Sequence, residues 1–280
     1  MASLQAPPLP PGLRLRPRPK YLSLALVAVQ EAVSYRFATI LTFLTNLVWV
    51  VILLYLWQTV FAARPTVGTF DLQRMRTYVL VAYVVNSLVT HYSESGIISA
   101  IRYGQVAVDL LRPVDYMTGQ LARAAGGAVF EGALGGAVAL VLGIYVLHIS
   151  PPASPLAAAA FVASLLIAFV VRFLISFIVS LFSFWTRNGL GLMWARAAVS
   201  NVLSGTLIPL SLFPDWLHTI ALALPFHTLV STPALIYLGE IEGPAIGVAL
   251  AGQFGWAIAL WVLARLLWRP CVRRLTIQGG

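Results

Sequence analysis

Six apolar stretches constrain this chain more than any other feature, because each exceeds the roughly 20 residues that a helix needs to cross a bilayer. They cover residues 37–61, 78–101, 116–146, 156–185, 190–212 and 245–268. Of the 280 residues, 60% are hydrophobic and only 10% are charged, whereas a soluble domain carries about 25% charged residues. A surface with so little charge would not stay hydrated, so lipid must be the solvent. The sequence therefore predicts an all-α polytopic membrane protein with six transmembrane helices.

The remaining segments flank or interrupt this transmembrane domain, which we assign to residues 37–268. Residues 1–20 mix prolines with basic residues, which opposes both a helix and burial, and we expect a disordered tail. Residues 21–36 are predicted to form an interfacial helix, and partial burial of this helix against other helices is an equally good account. A seventh apolar region, residues 216–238, contains Pro225 and Pro233, which interrupt a continuous helix. We expect an extracellular re-entrant helical hairpin over residues 213–240 and a cytoplasmic tail over residues 269–280.

The distribution of basic residues predicts the orientation of the chain. If the amino terminus is cytoplasmic, that side holds most of the arginines, including Arg187 and Arg196, and the other side holds only Arg64, Arg74 and Arg76. Cytoplasmic loops of membrane proteins are enriched in Lys and Arg. Both termini are therefore predicted to lie in the cytoplasm, with the chain in the cytoplasmic (inner) membrane. The net charge of +9 is explained by basic residues that flank the apolar segments, as in other membrane proteins. We therefore expect no nucleic-acid partner.

Apart from Arg196 and Arg265, which we assign to the cytoplasmic side, four charged residues lie within the apolar stretches: Glu94, Arg123, Glu131 and Arg172. An unpaired Arg or Asp at mid-membrane costs about 2.5–3.5 kcal/mol, and a partner of opposite charge reduces that cost. Their depths predict two interhelical ion pairs, Glu94 with Arg123 and Glu131 with Arg172. A proton relay or a polar substrate path is the functional alternative, and His91, one turn from Glu94, would suit such a site.

Glycines are concentrated in the third apolar stretch. Gly132 and Gly136 form a GxxxG pair, and Gly126 lies two turns earlier. Small residues let helix backbones approach closely in a membrane. The pattern predicts close packing of the third helix against a neighbour.

The chain lacks the residues of the common nucleotide and metal sites. Its only lysine, Lys20, lies in the tail, whereas a phosphate-binding loop needs a lysine directly after its glycines. The single cysteine, Cys271, excludes an intrachain disulfide and a cysteine-based metal site. We therefore expect no catalytic residue, no metal site and no cofactor bound by this chain.

A distinctive segment follows the second apolar stretch. It reads Ile101-Arg102-Tyr103-Gly104-Gln105-Val106-Ala107-Val108-Asp109-Leu110-Leu111-Arg112-Pro113. Residues 102–111 can form a short amphipathic helix with Val106, Leu110 and Leu111 on its apolar side, and Pro113 would end it. An ordinary helical turn with positive-inside arginines is the alternative. A second distinctive segment reads Ser204-Gly205-Thr206-Leu207-Ile208-Pro209-Leu210-Ser211-Leu212-Phe213-Pro214-Asp215-Trp216-Leu217.

Together these two segments resemble the ABC-2 type permeases, in particular the small six-span permeases without a fused ATPase domain. Glu94 stands where that family has an acidic residue in its second helix. The resemblance implies that the first segment is the helix that couples to an ATPase, through Arg102, Gly104, Val106, Asp109, Leu110, Leu111, Arg112 and Pro113. It implies that the second segment, which continues through Leu224-Pro225-Phe226 to Leu238-Gly239, forms an outer gate with Pro209, Phe213, Pro214, Trp216 and Phe226. Substrate would pass between the second and fifth helices, along Asn86, His91, Ser200, Asn201, Ser204 and Thr206.

The resemblance also implies a function and partners. The chain would be the permease half of an exporter, paired with an identical or sister permease and with two separate ATPase subunits that hold ATP and Mg²⁺. A path with so few charges suits an apolar or amphipathic substrate such as a drug, an antibiotic or a lipid. The alternative is a proton-coupled secondary transporter that uses Glu94, His91 and Glu131.

Overall fold

The structure, a computed structural model, describes residues 19–34, 36–89, 93–141, 143, 149–186 and 189–273. In these ranges the chain is helical, with a single isolated bridge between Val67 and Phe70. The α-helices are α1 (Lys20–Ser34), α2 (Arg36–Ala63), α3 (Leu72–Val89), α4 (Ser93–Arg102), α5 (Gln105–Leu110), α6 (Tyr116–Val141), α7 (Pro155–Leu181), α8 (Gly189–Leu203), α9 (Asp215–Leu222), α10 (Ser231–Leu238) and α11 (Pro244–Val272). Short 3-10 turns occupy Phe182–Phe184, Leu210–Leu212 and Pro225–Thr228.

Within the ranges given above, three helical segments are long and apolar enough to cross a membrane: Leu44–Ala63, Pro155–Phe184 and Pro244–Val272. The second predicted stretch is divided between α3, with 18 residues, and α4, with 10. The fifth contains α8, with 15 residues. The helical class is confirmed, whereas the crossing of the bilayer by six spans stays a prediction.

Helix α7 forms the centre of the bundle, because α3, α4, α8, α10 and α11 all pack against it. Ala168, Val171 and Leu174 are fully buried at a spacing of three residues, which keeps them on one face of the helix. The start of α7 is fixed locally, since the Ser154 hydroxyl accepts a hydrogen bond from the Ala157 N–H at 3.0 Å. Proline follows at the first helical position, where its missing N–H is tolerated.

Two polar contacts mark the opposite ends of the bundle. At the first, which we call the α5 end, Arg265 near the carboxyl end of α11 binds Asp115 just before α6. At the second, which we call the hairpin end, Arg74 near the start of α3 lies 3.1 Å from Glu240 after α10. The charged α4–α5 turn and the hairpin formed by α9 and α10 therefore lie at opposite ends.

Helix α8 is shorter than the predicted fifth stretch, residues 190–212. It ends at Leu203, and Gly205 follows with a φ of 81°, a conformation that favours glycine. The Tyr78 hydroxyl donates a 2.7 Å hydrogen bond to the Gly205 carbonyl, and a Cβ at Gly205 would lie 2.8 Å from that hydroxyl. The backbone conformation of Gly205 and the lack of room for a Cβ therefore both require glycine at this position. The helix ends just before it.

Helix α1 packs along α6 more extensively than any other described helix pair. At the crossing, a Cβ on Gly126 would overlap the backbone carbonyl of Ala25. Gly119 lies about two helical turns before Gly126, and a Cβ there would be 3.5 Å from the Leu24 side chain. The glycines of α6 therefore allow the α1 backbone to approach closely. Tyr21 and Leu22 on the outer side of α1 stay exposed.

Candidate functional site

The candidate site is the turn between α4 and α5, where the chain reverses through Tyr103 and Gly104. Gly104 has φ 70° and ψ 8°, a left-handed conformation that costs other residues about 1–2 kcal/mol. No atom would lie within 4 Å of a Cβ on Gly104, so conformation and not space calls for glycine. This turn sets the direction in which the six-residue helix α5 leaves α4.

Apolar side chains of this turn divide between the core and solvent. Val106 is fully buried and anchors α5. Tyr103, Val108, Leu110 and Leu111 are exposed by 73%, 60%, 37% and 85%, and we call these four side chains the apolar tip. The predicted apolar side is therefore wrong for Leu111, whereas Leu110, four residues after Val106, shares a face of α5 with it. Successive helical residues turn by about 100°, so Leu111 points well away from Val106.

Charged groups surround the apolar tip. The Arg112 Nη1 lies 3.3 Å from the Asp109 carboxylate, and the Arg102 guanidinium lies 5.8 Å from the centroid of the Tyr103 ring. Such exposed contacts contribute little to stability, but they show that the turn is a polar region. The apolar tip is therefore surrounded by groups that belong in water.

The segment after α5 is tied to two other helices. The Lys20 ammonium at the start of α1 donates to the Pro113 carbonyl at 3.2 Å. Asp115 accepts hydrogen bonds from the N–H of Thr118 at 2.9 Å and from both terminal nitrogens of Arg265 at 2.6 and 3.0 Å. Asp115 thus caps α6 and links it to α11.

Electrostatics at Asp115 favour its charged form. Burial raises the pKa of the Asp115 carboxyl, but the hydrogen bonds from Arg265 and Thr118 outweigh burial and hold the pKa below its ordinary value. The sequence reasoning missed this residue. An aspartate directly before an apolar helix is the usual signal for a helix cap, and that signal was present.

The buried carboxylate Glu94 pairs with Arg196 of α8. The Arg196 Nη2 lies 2.8 Å from Glu94 Oε2, and its Nε donates to both carboxylate oxygens at 3.0 and 2.9 Å. Buried Arg172 on α7 lies close enough to interact electrostatically with both residues. The predicted pair of Glu94 with Arg123 is wrong: Arg123 lines a groove with Leu24 and Asp109 at the α5 end.

The second predicted ion pair joined Glu131 to Arg172. The Glu131 side chain lies outside the described part of the structure, so that pair stays a prediction. Sequence reasoning placed Arg196 among the loop arginines, although α8 brings it opposite Glu94. The sequence predicts how deep each charged residue lies in the membrane. It does not predict the direction in which each side chain points, and that direction decides the pairing.

Among the proposed pathway residues, Asn86 lies on α3, Ser200 and Asn201 lie on α8, and Ser204 and Thr206 follow α8. Asn86 and Asn201 are half-buried, whereas Ser200 and Ser204 are buried. The Ser204 and Thr206 hydroxyls lie 2.7 Å apart. His91 is outside the described residues. Their role as a substrate path stays a prediction.

The proposed outer gate is a compact helical hairpin at the hairpin end. Pro214 precedes α9, and Pro225 begins the 3-10 turn that leads to α10. Pro209 is buried and Phe226 packs on the core, whereas Trp216 is 65% exposed. Phe213, which lies between Pro209 and Trp216 in the sequence, is half-buried. The prolines therefore interrupt the helices as expected, while the gating role stays a prediction.

Comparison with curated protein sequences gave no match. A protein-family model described as ABC-2 family transporter protein matches residues 47–279. The match begins within α2 and includes the α4–α5 turn, the buried Glu94–Arg196 pair and the hairpin. Since it covers well over half of the 280 residues, the chain, a multi-pass membrane protein, belongs to the ABC-2 family of transporter proteins.

Proposed function

We propose that the chain is the permease subunit of an ABC exporter whose ATPase is a separate polypeptide that binds the α4–α5 turn. The complex would move an apolar or amphipathic compound, such as a drug, an antibiotic or a lipid, out across the cytoplasmic membrane. The observation that carries this proposal is the apolar tip, a group of exposed apolar side chains at a polar turn.

The position of the apolar tip favours a protein partner over lipid. Leu111 is 85% exposed, and its neighbours Arg112 and Asp109 form an exposed ion pair that has no reason to enter hydrocarbon. Exposed apolar side chains rimmed by polar groups are typical of protein interfaces. Buried Val106 and left-handed Gly104 hold the tip in a fixed direction, which suits transmission of a partner's movement to α4 and α6.

The source of energy is inferred from the sequence. The only lysine of the chain is Lys20, which already donates to the Pro113 carbonyl, and it follows no glycine-rich loop. ATP and Mg²⁺ are therefore assigned to the partner subunits, two in each complex. The second permease of the complex would be an identical or sister chain.

A substrate path between α3 and α8 has some support from unpaired polar atoms. Among the described residues, the buried Arg196 Nη1 and Ser200 Oγ have no hydrogen-bond partner. Such atoms are costly to leave unsatisfied, so a polar group of a substrate that entered between the helices would stabilise them. Val199 and Val202 on the same helix are exposed, which agrees with a second permease covering α8.

Co-expression with an ATPase subunit encoded beside this chain tests the proposal. The variant Leu110→Asp/Leu111→Asp places two charges in the apolar tip, and we expect the ATPase to be lost on affinity purification together with ATP-dependent transport in proteoliposomes. Leu207→Asp, the same change at an exposed position of the hairpin end, is the matched control and should retain the ATPase. Equal retention by both variants would remove the docking role of the turn.

A proton-coupled transporter is distinguished by the same proteoliposomes. The carboxylate on which that alternative depends, Glu94, is held by three contacts with Arg196, which favours a structural role. Transport that requires a pH gradient and proceeds without an ATPase subunit would support the alternative instead.

A further inference from the structure

A small groove opens at the α5 end between α1, the segment after α5, and the first turns of α6. Its walls include Leu24, Arg112, Val114, Gly119 and Arg123. At Gly119 the groove is narrow, because a Cβ there would lie 3.5 Å from the side chains of Leu24 and Val114. It is distinct from the apolar tip, which faces solvent.

The acidic residues of the groove are already paired with basic or hydroxyl groups, which separates them from Arg123. Asp109 pairs with Arg112, and Asp115 is held by Arg265 and Thr118. Arg123, by contrast, forms neither an ion pair nor a hydrogen bond within the part of the chain that the structure describes. The groove therefore presents a guanidinium in excess of its carboxylates.

Arg123 lies on α6 near the charged α5 end of the bundle. Charged residues gather at the α5 end, and Arg123 lies seven residues after Tyr116, about 10 Å along the axis of α6. An arginine at this depth extends its side chain towards the phosphate region of the bilayer. Lys20, bound to the Pro113 carbonyl, adds a second positive charge beside the groove.

We propose that this groove binds the headgroup of an anionic phospholipid. Arg123 and Arg112 would donate hydrogen bonds to the phosphate oxygens, and an acyl chain would follow the apolar surface of Leu24 and Val114. Guanidinium groups suit phosphate because several N–H donors lie in one plane, and basic pockets between membrane helices are known to take acidic headgroups. The inference needs only the membrane location of the chain and does not rest on the transport activity.

Binding to purified protein stripped of lipid provides the test. Native mass spectrometry, together with titration of the melting temperature Tm, would compare phosphatidylglycerol with phosphatidylcholine and with inorganic phosphate. We expect phosphatidylglycerol to bind and to raise Tm, and Arg123→Gln to weaken its binding about tenfold, since a charge-assisted hydrogen bond is lost. Arg269→Gln removes an exposed arginine at the same end of the bundle, outside the groove, and is the matched control.

Two further variants keep the test decisive if Arg123→Gln does not fold. Arg123→Lys retains the charge and should retain most of the binding, whereas Arg112→Gln changes an exposed residue and should weaken it. The proposal is overturned if Arg112→Gln and Arg269→Gln bind phosphatidylglycerol equally well, or if phosphatidylcholine binds as tightly. Displacement of the lipid by equimolar inorganic phosphate would also overturn it, because the site would then recognise a free anion.

Discussion

The Glu94–Arg196 and Asp109–Arg112 pairs join the same two chemical groups in opposite surroundings. The side chains of Arg196 and Glu94 are 9% and 6% exposed, whereas those of Arg112 and Asp109 are 54% and 22% exposed. A buried charge without its partner is strongly destabilising, while an exposed pair is screened by water. The buried pair therefore holds α4 against α8, and the exposed pair only shapes the surface of the α4–α5 turn.

The largest effect is expected from loss of the buried carboxylate. Glu94→Gln leaves the Arg196 guanidinium buried beside Arg172 without a negative charge, and should lower the free energy of unfolding by about 3–5 kcal/mol. Thermal unfolding of the native chain and of the variant in detergent measures this loss of stability. The double variant Glu94→Gln/Arg196→Gln should recover part of the loss, because no unpaired partner remains. A double variant as costly as the sum of its singles would show that the two residues act independently.

An intermediate effect is expected at Asp115, whose partner Arg265 is 39% exposed. Asp115→Asn keeps the helix cap but loses the ion pair, and should cost about 1 kcal/mol near neutral pH. Because the folded-state pKa of Asp115 is depressed, its contribution is present above the ordinary aspartate pKa of about 3.9. It is lost as the pH falls through the lower folded pKa. Tm measured from pH 6 down to pH 3 should fall more steeply for the native chain than for Asp115→Asn, and parallel curves would contradict this.

The smallest effect is expected at the exposed pair. Asp109→Asn should change the free energy of unfolding by less than about 0.5 kcal/mol, as measured by the same unfolding assay. A loss comparable to that of Glu94→Gln would mean that burial does not separate the two pairs. Arg112→Ala gives an independent check from the other partner.

The sequence allowed the helical class, the family and the position of the α4–α5 turn to be predicted, because these depend on apolar length and local motifs. It did not identify Arg196 as the partner of Glu94. Hydropathy gives the depth of a residue along a helix, whereas pairing depends on how each helix is rotated about its axis, which tertiary packing sets. The same limit explains why Val106 was grouped with Leu111. The glycines of α6 predicted close packing, but the identity of α1 as the neighbour needed the structure.

The contact between Gly126 and Ala25 has a mechanical consequence. Because the two backbones touch there, α1 cannot slide along α6 without first separating from it. Any rigid-body tilt of α6 must then carry α1 with it, so the two helices move as one unit.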